Sequence, residues 1–259
     1  VAAANGFAAP SAQAQSIQPP SSQAQQTPCN ASIDLVKMAQ PLPRLARKLA
    51  AHEAVTIVAV GSSSTAGAGA SSGGASYPSQ LEAQLSAHFP KSQIKVINRG
   101  VNGEEAAEML KRFKDGVLAE KPDLVLWQIG TNSVLRSHLT NSYEGLVHDG
   151  ISQLKAAGAD VVLVDPQYAP NVITKPEIEN MVALIGTTAK REGVDLFKRF
   201  VMMHSWHTDE KIPFETFVSP DGIHMNDWGY ACFARTLSAA IVEAATRPIN
   251  TVSVGSPVR

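Results

Sequence analysis

Apolar and polar positions alternate along this chain in two different rhythms, and the rhythms themselves alternate. The runs Val55–Val60, Ile94–Ile97, Leu124–Ile129, Val161–Val164 and Val194–Phe197 are short, rich in β-branched residues and bounded by polar or turn residues. That is the pattern of strands buried on both faces. Between them the apolar positions step by three and four. Ala106, Met109, Leu110, Phe113 and Val117 form one such stripe, Val147, Ile151 and Leu154 a second, and Ala234, Leu237, Ile241 and Ala244 a third. Each predicts a helix laid against a sheet. Strand and helix in alternation imply right-handed crossovers and a parallel sheet. The expected fold is therefore a three-layer α/β/α domain around a flavodoxin-like, doubly wound sheet of five strands in the order 2-1-3-4-5. In such folds the functional groups gather beyond the carboxyl ends of the strands.

Composition refines this picture at the ends of the chain. Residues 1–32 are dominated by Ala, Gln, Ser and Pro, with few large apolar side chains, and read as a disordered arm. The chain does not begin with Met, and "SAQAQ" resembles a small-residue processing site, so the arm reads as the remnant of an export signal. Residues 33–248 form the expected single domain, and 249–259 a C-terminal tail. A periplasmic or secreted bacterial location is the corresponding expectation. The two cysteines, Cys29 and Cys232, cannot build a four-cysteine zinc site, and "QTP" before Cys29 is not a lipid-attachment box. In an exported chain they could be bridged; as two separate thiols they would fit equally well, and spacing does not decide. A net charge of −1 gives no electrostatic basis for a nucleic-acid partner, and no apolar run approaches the length of a membrane span.

The loops that follow the strands carry the candidate chemistry. After the first strand come Gly61-Ser62-Ser63-Ser64-Thr65 and a small-residue tract to Gly74. The tract contains no lysine and its glycines lack dinucleotide spacing, which argues against nucleotide binding. An interdomain linker would not sit between a core strand and an amphipathic segment. A nucleophilic serine remains. A hydroxyl needs a base to attack near neutral pH, and the base needs an orienting acid. Asp221 and His224, three residues apart after the last strand, can supply both. Donors for a tetrahedral oxyanion are available at the backbone N–H groups of Ser63 and Gly103 and at the Asn132 amide.

These blocks resemble those of the SGNH hydrolases, the GDSL esterase/lipase superfamily. Gly61–Thr65 matches the first block, Gly103 the second-block glycine, Gly130-Thr131-Asn132 the Gly-x-Asn of the third, and Asp221–His224 the Asp-x-x-His of the fifth. The first block departs from the pattern, with Ser62 where the family has aspartate, which leaves a one-residue shift of the nucleophile open. The resemblance implies Ser63 as nucleophile, His224 as base, Asp221 as its orienting acid, and Ser63, Gly103 and Asn132 as the oxyanion hole. It implies no cofactor and no metal. Short acyl, above all acetyl, esters of small molecules or polysaccharides are the expected substrates. An O-acyltransferase using the same residues, or a silent carbohydrate-binding protein, are the alternatives. Gln167 and Tyr168 after the fourth strand, and Trp206 in the polar segment "MMHSWHTDE", are candidate substrate contacts. His204 and His207 in that segment are a weaker metal-binding candidate. Ala66–Gly74 is expected to form an open, mobile rim, and Arg99 and Arg136 flank the oxyanion loops.

Overall fold

The computed structural model describes Cys29, residues 33–138 and residues 142–248. The expected disordered arm (except Cys29) and the C-terminal tail lie outside the described residues. Five parallel strands, β1 (Val55–Gly61), β2 (Ile94–Gly100), β3 (Leu124–Gln128), β4 (Asp160–Val164) and β5 (Asp195–Phe197), form one sheet in the order β2-β1-β3-β4-β5. This is the order read from the sequence. The topological switch lies between β1 and β3, and the loops leaving these two strands face each other there.

Helices cover both faces. Pro43–Ala50, Tyr77–His88 and the long helix Asp227–Thr246 pack together on one face, and Ala106–Lys111, Tyr143–Ala156 and Ile178–Glu192 on the other. The strand residues Ile57, Val58, Ala59, Val60 and Leu124–Trp127 are wholly buried between them, which explains their unbroken apolar runs. The Trp127 indole is accommodated where Gly150 of the facing helix has no side chain.

One predicted helix is interrupted. Ala106, Met109, Phe113 and Val117 of the expected stripe are buried and Leu110 partly so, but the helix breaks at Arg112, where φ is −109° and ψ is 8°, and resumes as a single turn at Phe113–Gly116. Arg112 turns its guanidinium toward Glu104 and the carbonyls of Arg99 and Gly61. These bonds tie the break to the ends of β1 and β2.

The end of the sheet opposite the switch point is closed by carboxylates. Asp160 accepts from the N–H groups of Arg44 and Leu45, and Asp195 from those of Ala39 and Gln40. Asp123 takes the Thr56 N–H and the Arg44 side chain. The segment that precedes β1 is thereby fixed beneath the sheet, leaving the carboxyl ends of the strands as the open face.

Cys29 and Cys232 are joined by a disulfide, with their Cα atoms 5.5 Å apart and a sequence separation of 203. It anchors residue 29 to a buried position of the long C-terminal helix. A bridge of this kind contributes roughly 2–4 kcal/mol, largely by restricting the unfolded chain. Cys29→Ser is therefore expected to lower the melting temperature by roughly 5–15 °C. Calorimetry of the variant against the oxidised protein measures this, and coincident transitions would show that the bridge is not formed.

Candidate active site

Ser63 opens the one-turn helix Ser63–Ala66 just after β1, beside the topological switch point of the sheet. Its Oγ lies 2.7 Å from His224 Nε2, and His224 Nδ1 lies 2.6 Å from Asp221 Oδ2. A carboxylate only accepts, so the proton of that second bond belongs to Nδ1. Nε2 is then the unprotonated nitrogen, able to accept the Ser63 hydroxyl proton. Three groups drawn from residues 161 positions apart are thus connected in one chain of hydrogen bonds.

The neighbouring serines are placed differently. Ser62 is buried, and both its N–H and its Oγ donate to Gln128 Oε1, at 2.9 and 3.1 Å. Thr65 Oγ1 shares the same acceptor and meets the Tyr77 hydroxyl. Ser64 is buried as well. Of the three adjacent hydroxyls, Ser63 is the one that meets the imidazole. Gln128 was not legible as a site residue, since it is simply the last polar position of β3. It does the holding work in a turn where Ser62 replaces the aspartate of the resembling family.

Asp221 is set by its own loop. Its Oδ1 accepts from Ser219 Oγ and from the N–H groups of Ile223 and His224, at 2.8, 2.8 and 2.9 Å. Partial burial pushes this carboxyl up, but the bonds from His224, Ile223 and Ser219 outweigh it and bring it down to about 2. It is a carboxylate throughout the neutral and mildly acidic range.

The candidate oxyanion donors lie in the segments that follow β1, β2 and β3. Ser63 N–H belongs to a first helical turn, whose N–H groups have no partner within the helix. Gly103 has a φ of +81°, a conformation that strains any residue with a Cβ. Asn132 follows β3 on the helix Thr131–Leu135, and one N–H of its side-chain amide donates to Glu104 O at 2.9 Å. The amide carries a second N–H for a ligand. Around this loop, Glu105 caps the helix Ala106–Lys111 and accepts from Ser133, Arg136 and His138. Burial raises the Glu105 carboxyl, and the bonds from Arg136, Ser133 and His138 overcome it and hold it below its ordinary value. Arg99 is paired with Glu120, so both arginines that flank the candidate oxyanion loops have carboxylate partners.

The small-residue tract is exposed at Gly69 and Ser71–Gly74 but anchored at Ala68 and Ser71. Ser71 bonds Asp227 through both its N–H and its hydroxyl, and Tyr230 donates to Ala68 O at 2.6 Å. Gly69, with a φ of +87°, packs so closely on the base loop that a Cβ there would sit 2.9 Å from His224 Cβ and 2.4 Å from Met225 O. Its lack of bulk therefore admits the backbone to the back of His224.

The three candidate substrate contacts are placed unequally. Tyr168 is half-buried, in an aromatic cluster with Phe200, His204, His207 and Phe214. Gln167 is 1% exposed and turned inward. "MMHSWHTDE" is not a polar loop: Arg199–Thr208 is a helix, whose spacing puts Met202, Met203 and Trp206 on its buried face. Trp206 packs against Phe217 and Trp228 inside the molecule instead of lining an open pocket. His207 stacks on Phe214, and among the described residues no group of three or more His, Cys, Asp or Glu side chains could hold a metal ion.

Comparison with known proteins adds a family. The model of the Non-GDSL lipase-like family matches residues 28–247. An acetylxylan esterase from Geobacillus stearothermophilus is 27% identical over 105 residues, which span 37% of this chain and 48% of that protein. An arylesterase from Vibrio mimicus is 31% identical over 96 residues, 37% of this chain and 47% of that protein. The chain thus spans about half the length of the curated relatives it matches. Among solved structures, a two-domain esterase active on acetylated mannans superposes with a TM-score of 0.69 at 21% identity, covering 83% of this chain and 57% of that one. The acetylxylan esterase Axe2 of Geobacillus stearothermophilus gives 0.61 at 20% identity, covering 72% of this chain and 94% of that one. At these identities the superpositions speak for the fold.

Proposed function

The chain belongs to the Non-GDSL lipase-like family, and from that premise we propose that it is a serine-dependent carboxylic ester hydrolase of the SGNH type. The family's description agrees with the first block, which reads Gly-Ser-Ser where the GDSL pattern has Gly-Asp-Ser. The observation that carries the reading is the unbroken Ser63–His224–Asp221 chain at the carboxyl end of β1. In this mechanism Ser63 Oγ attacks the ester carbonyl while its proton passes to His224 Nε2. Asp221 holds the tautomer and stabilises the imidazolium. The oxyanion is received by Ser63 N–H, Gly103 N–H and the second Asn132 amide proton. His224 then protonates the leaving alcohol, and water, activated by the same imidazole, hydrolyses the acyl-enzyme.

Acetyl is the proposed acyl group, and an acetylated polysaccharide or small ester the proposed substrate. The names of the relatives point that way. A panel of aryl esters from acetyl to decanoyl is expected to give its highest kcat/KM at acetyl; best turnover on decanoyl would overturn the short-acyl assignment. Asn132→Ala is expected to lower kcat by roughly 10²–10³-fold with little change in KM, because its amide meets charge that exists only beyond the ground state. Steady-state kinetics on the aryl acetate measures this.

A further inference from the structure

Beneath the site a single buried amide touches both of its halves. Gln167 Oε1 accepts from Thr131 Oγ1 at 2.8 Å and from Arg199 Nη2 at 2.9 Å, and Gln167 Nε2 donates to Ile223 O at 3.1 Å. Thr131 precedes Asn132 at the start of its helix, and Ile223 lies between Asp221 and His224. The orientation of the amide is dictated by its partners. Arginine can only donate, so Oε1 must face it, and a backbone carbonyl can only accept, so Nε2 must face Ile223. Arg199 is itself fully buried and held by the Asp165 carbonyl at 2.9 Å, so the bridge has a fixed footing.

We propose that Gln167 is a positioning residue that holds the Asn132 helix and the Asp221–His224 loop in one frame, so that the oxyanion donor and the base stay in register with Ser63. This rests on the hydrolase reading above. The physical need is plain: Asn132 and His224 come from loops 92 residues apart in sequence, and misplacement of either by about 1 Å costs roughly 10²-fold in rate. Gln167 is the side chain through which those loops share hydrogen bonds. Its effect should fall on kcat, since register matters to the transition state more than to substrate docking.

Two variants separate the arms. Gln167→Glu keeps an acceptor for Thr131 and Arg199 but sets a carboxylate oxygen against Ile223 O. Thr131→Val removes only the arm to the Asn132 helix. Each is assayed for kcat and KM on an aryl acetate, for melting temperature, and by proton NMR of the downfield His224 Nδ1–H resonance, which needs no substrate. Gln167→Glu is expected to lower kcat by roughly 10–100-fold at unchanged KM and to broaden that resonance; Thr131→Val is expected to lower kcat while leaving the resonance intact. Wild-type kcat and resonance in folded Gln167→Glu would overturn the proposal, as would a loss of kcat that only tracks the unfolded fraction. Should Gln167→Glu not fold, Thr131→Val decides alone, and unchanged kcat there overturns the bridge. If the wild-type protein hydrolyses no ester, the functional reading fails, while the resonance still tests whether Gln167 orders the base loop.

Discussion

Ser63→Ala is expected to lower kcat/KM on an aryl acetate by about 10⁴-fold or more while the melting temperature stays within about 2 °C of the parent. The large kinetic loss follows from removing the oxygen that lies 2.7 Å from His224 Nε2 at the start of a helical turn. The small stability effect follows from the same geometry, since Ser63 Oγ bonds an imidazole at the surface of the site and supports nothing in the core. Ser62→Ala is the matched control. It removes a buried hydroxyl from Gln128 but leaves the Ser63–His224 bond and the Ser62 N–H in place, so activity should fall by less than about tenfold, with destabilisation of about 1 kcal/mol. The reverse pattern, with activity lost in Ser62→Ala and retained in Ser63→Ala, would move the nucleophile by one position.

The second large effect is expected at Asp221→Asn, a drop in kcat of about 10⁴-fold with the loop intact. The reason lies in which donors surround this carboxyl. Oδ1 is held by three of them, from Ser219, Ile223 and His224. In the asparagine variant the amide oxygen must occupy that place, because an NH₂ group there would face three other donors. The NH₂ is then directed at His224 Nδ1 and donates to it, so Nδ1 becomes the acceptor and the imidazole proton moves to Nε2. That nitrogen can no longer take a proton from Ser63. Kinetics on the aryl acetate measures the loss, and the His224 Nδ1–H resonance should vanish with it. The depressed carboxyl fixes the pH dependence as well. Its folded value, about 2, lies below the ordinary 3.8, so its bonds stabilise the loop fully above the ordinary value and are lost only as pH falls through about 2. Decline of activity at pH 4–6 is therefore not expected to arise from protonation of Asp221.

How far the sequence anticipates this structure differs from element to element. The strands are legible because burial on both faces demands continuous apolar runs, as at Val55–Val60, and a parallel sheet with alternating helices leaves few topologies. The Ser63–His224–Asp221 contact is legible because Asp221 and His224 lie on one short loop and the first-block serines lie directly after a strand. The break at Arg112 is not legible, because the apolar stripe from Ala106 to Val117 continues through it and periodicity reports which face is buried, not whether the backbone stays helical. Gln128, Gln167 and Arg199 are hidden for another reason. Each is a buried polar group whose meaning lies entirely in partners 32 to 66 residues away. Local pattern assigns such residues to a turn or a rim, as it assigns Gln167 to substrate. The helix Arg199–Thr208 illustrates the same limit, since its two histidines and its acidic flank give a polar composition to a segment whose inner face is Met202, Met203 and Trp206.

The frame around the site has a consistent logic. Carboxylates seal the far end of the sheet, the Arg112 network ties the ends of β1 and β2, and Gly69 brings the small-residue tract against the back of His224. Such backing is what an oxyanion site of the proposed kind would require, because donors that need not move at the moment of reaction cost no reorganisation. The most direct test is covalent labelling of the full chain with an aryl phosphonate, followed by peptide mapping. The account predicts a single adduct on Ser63 that forms much more slowly in Asp221→Asn. An adduct on Ser62, Ser64 or any other residue, or none on the folded protein, would contradict it.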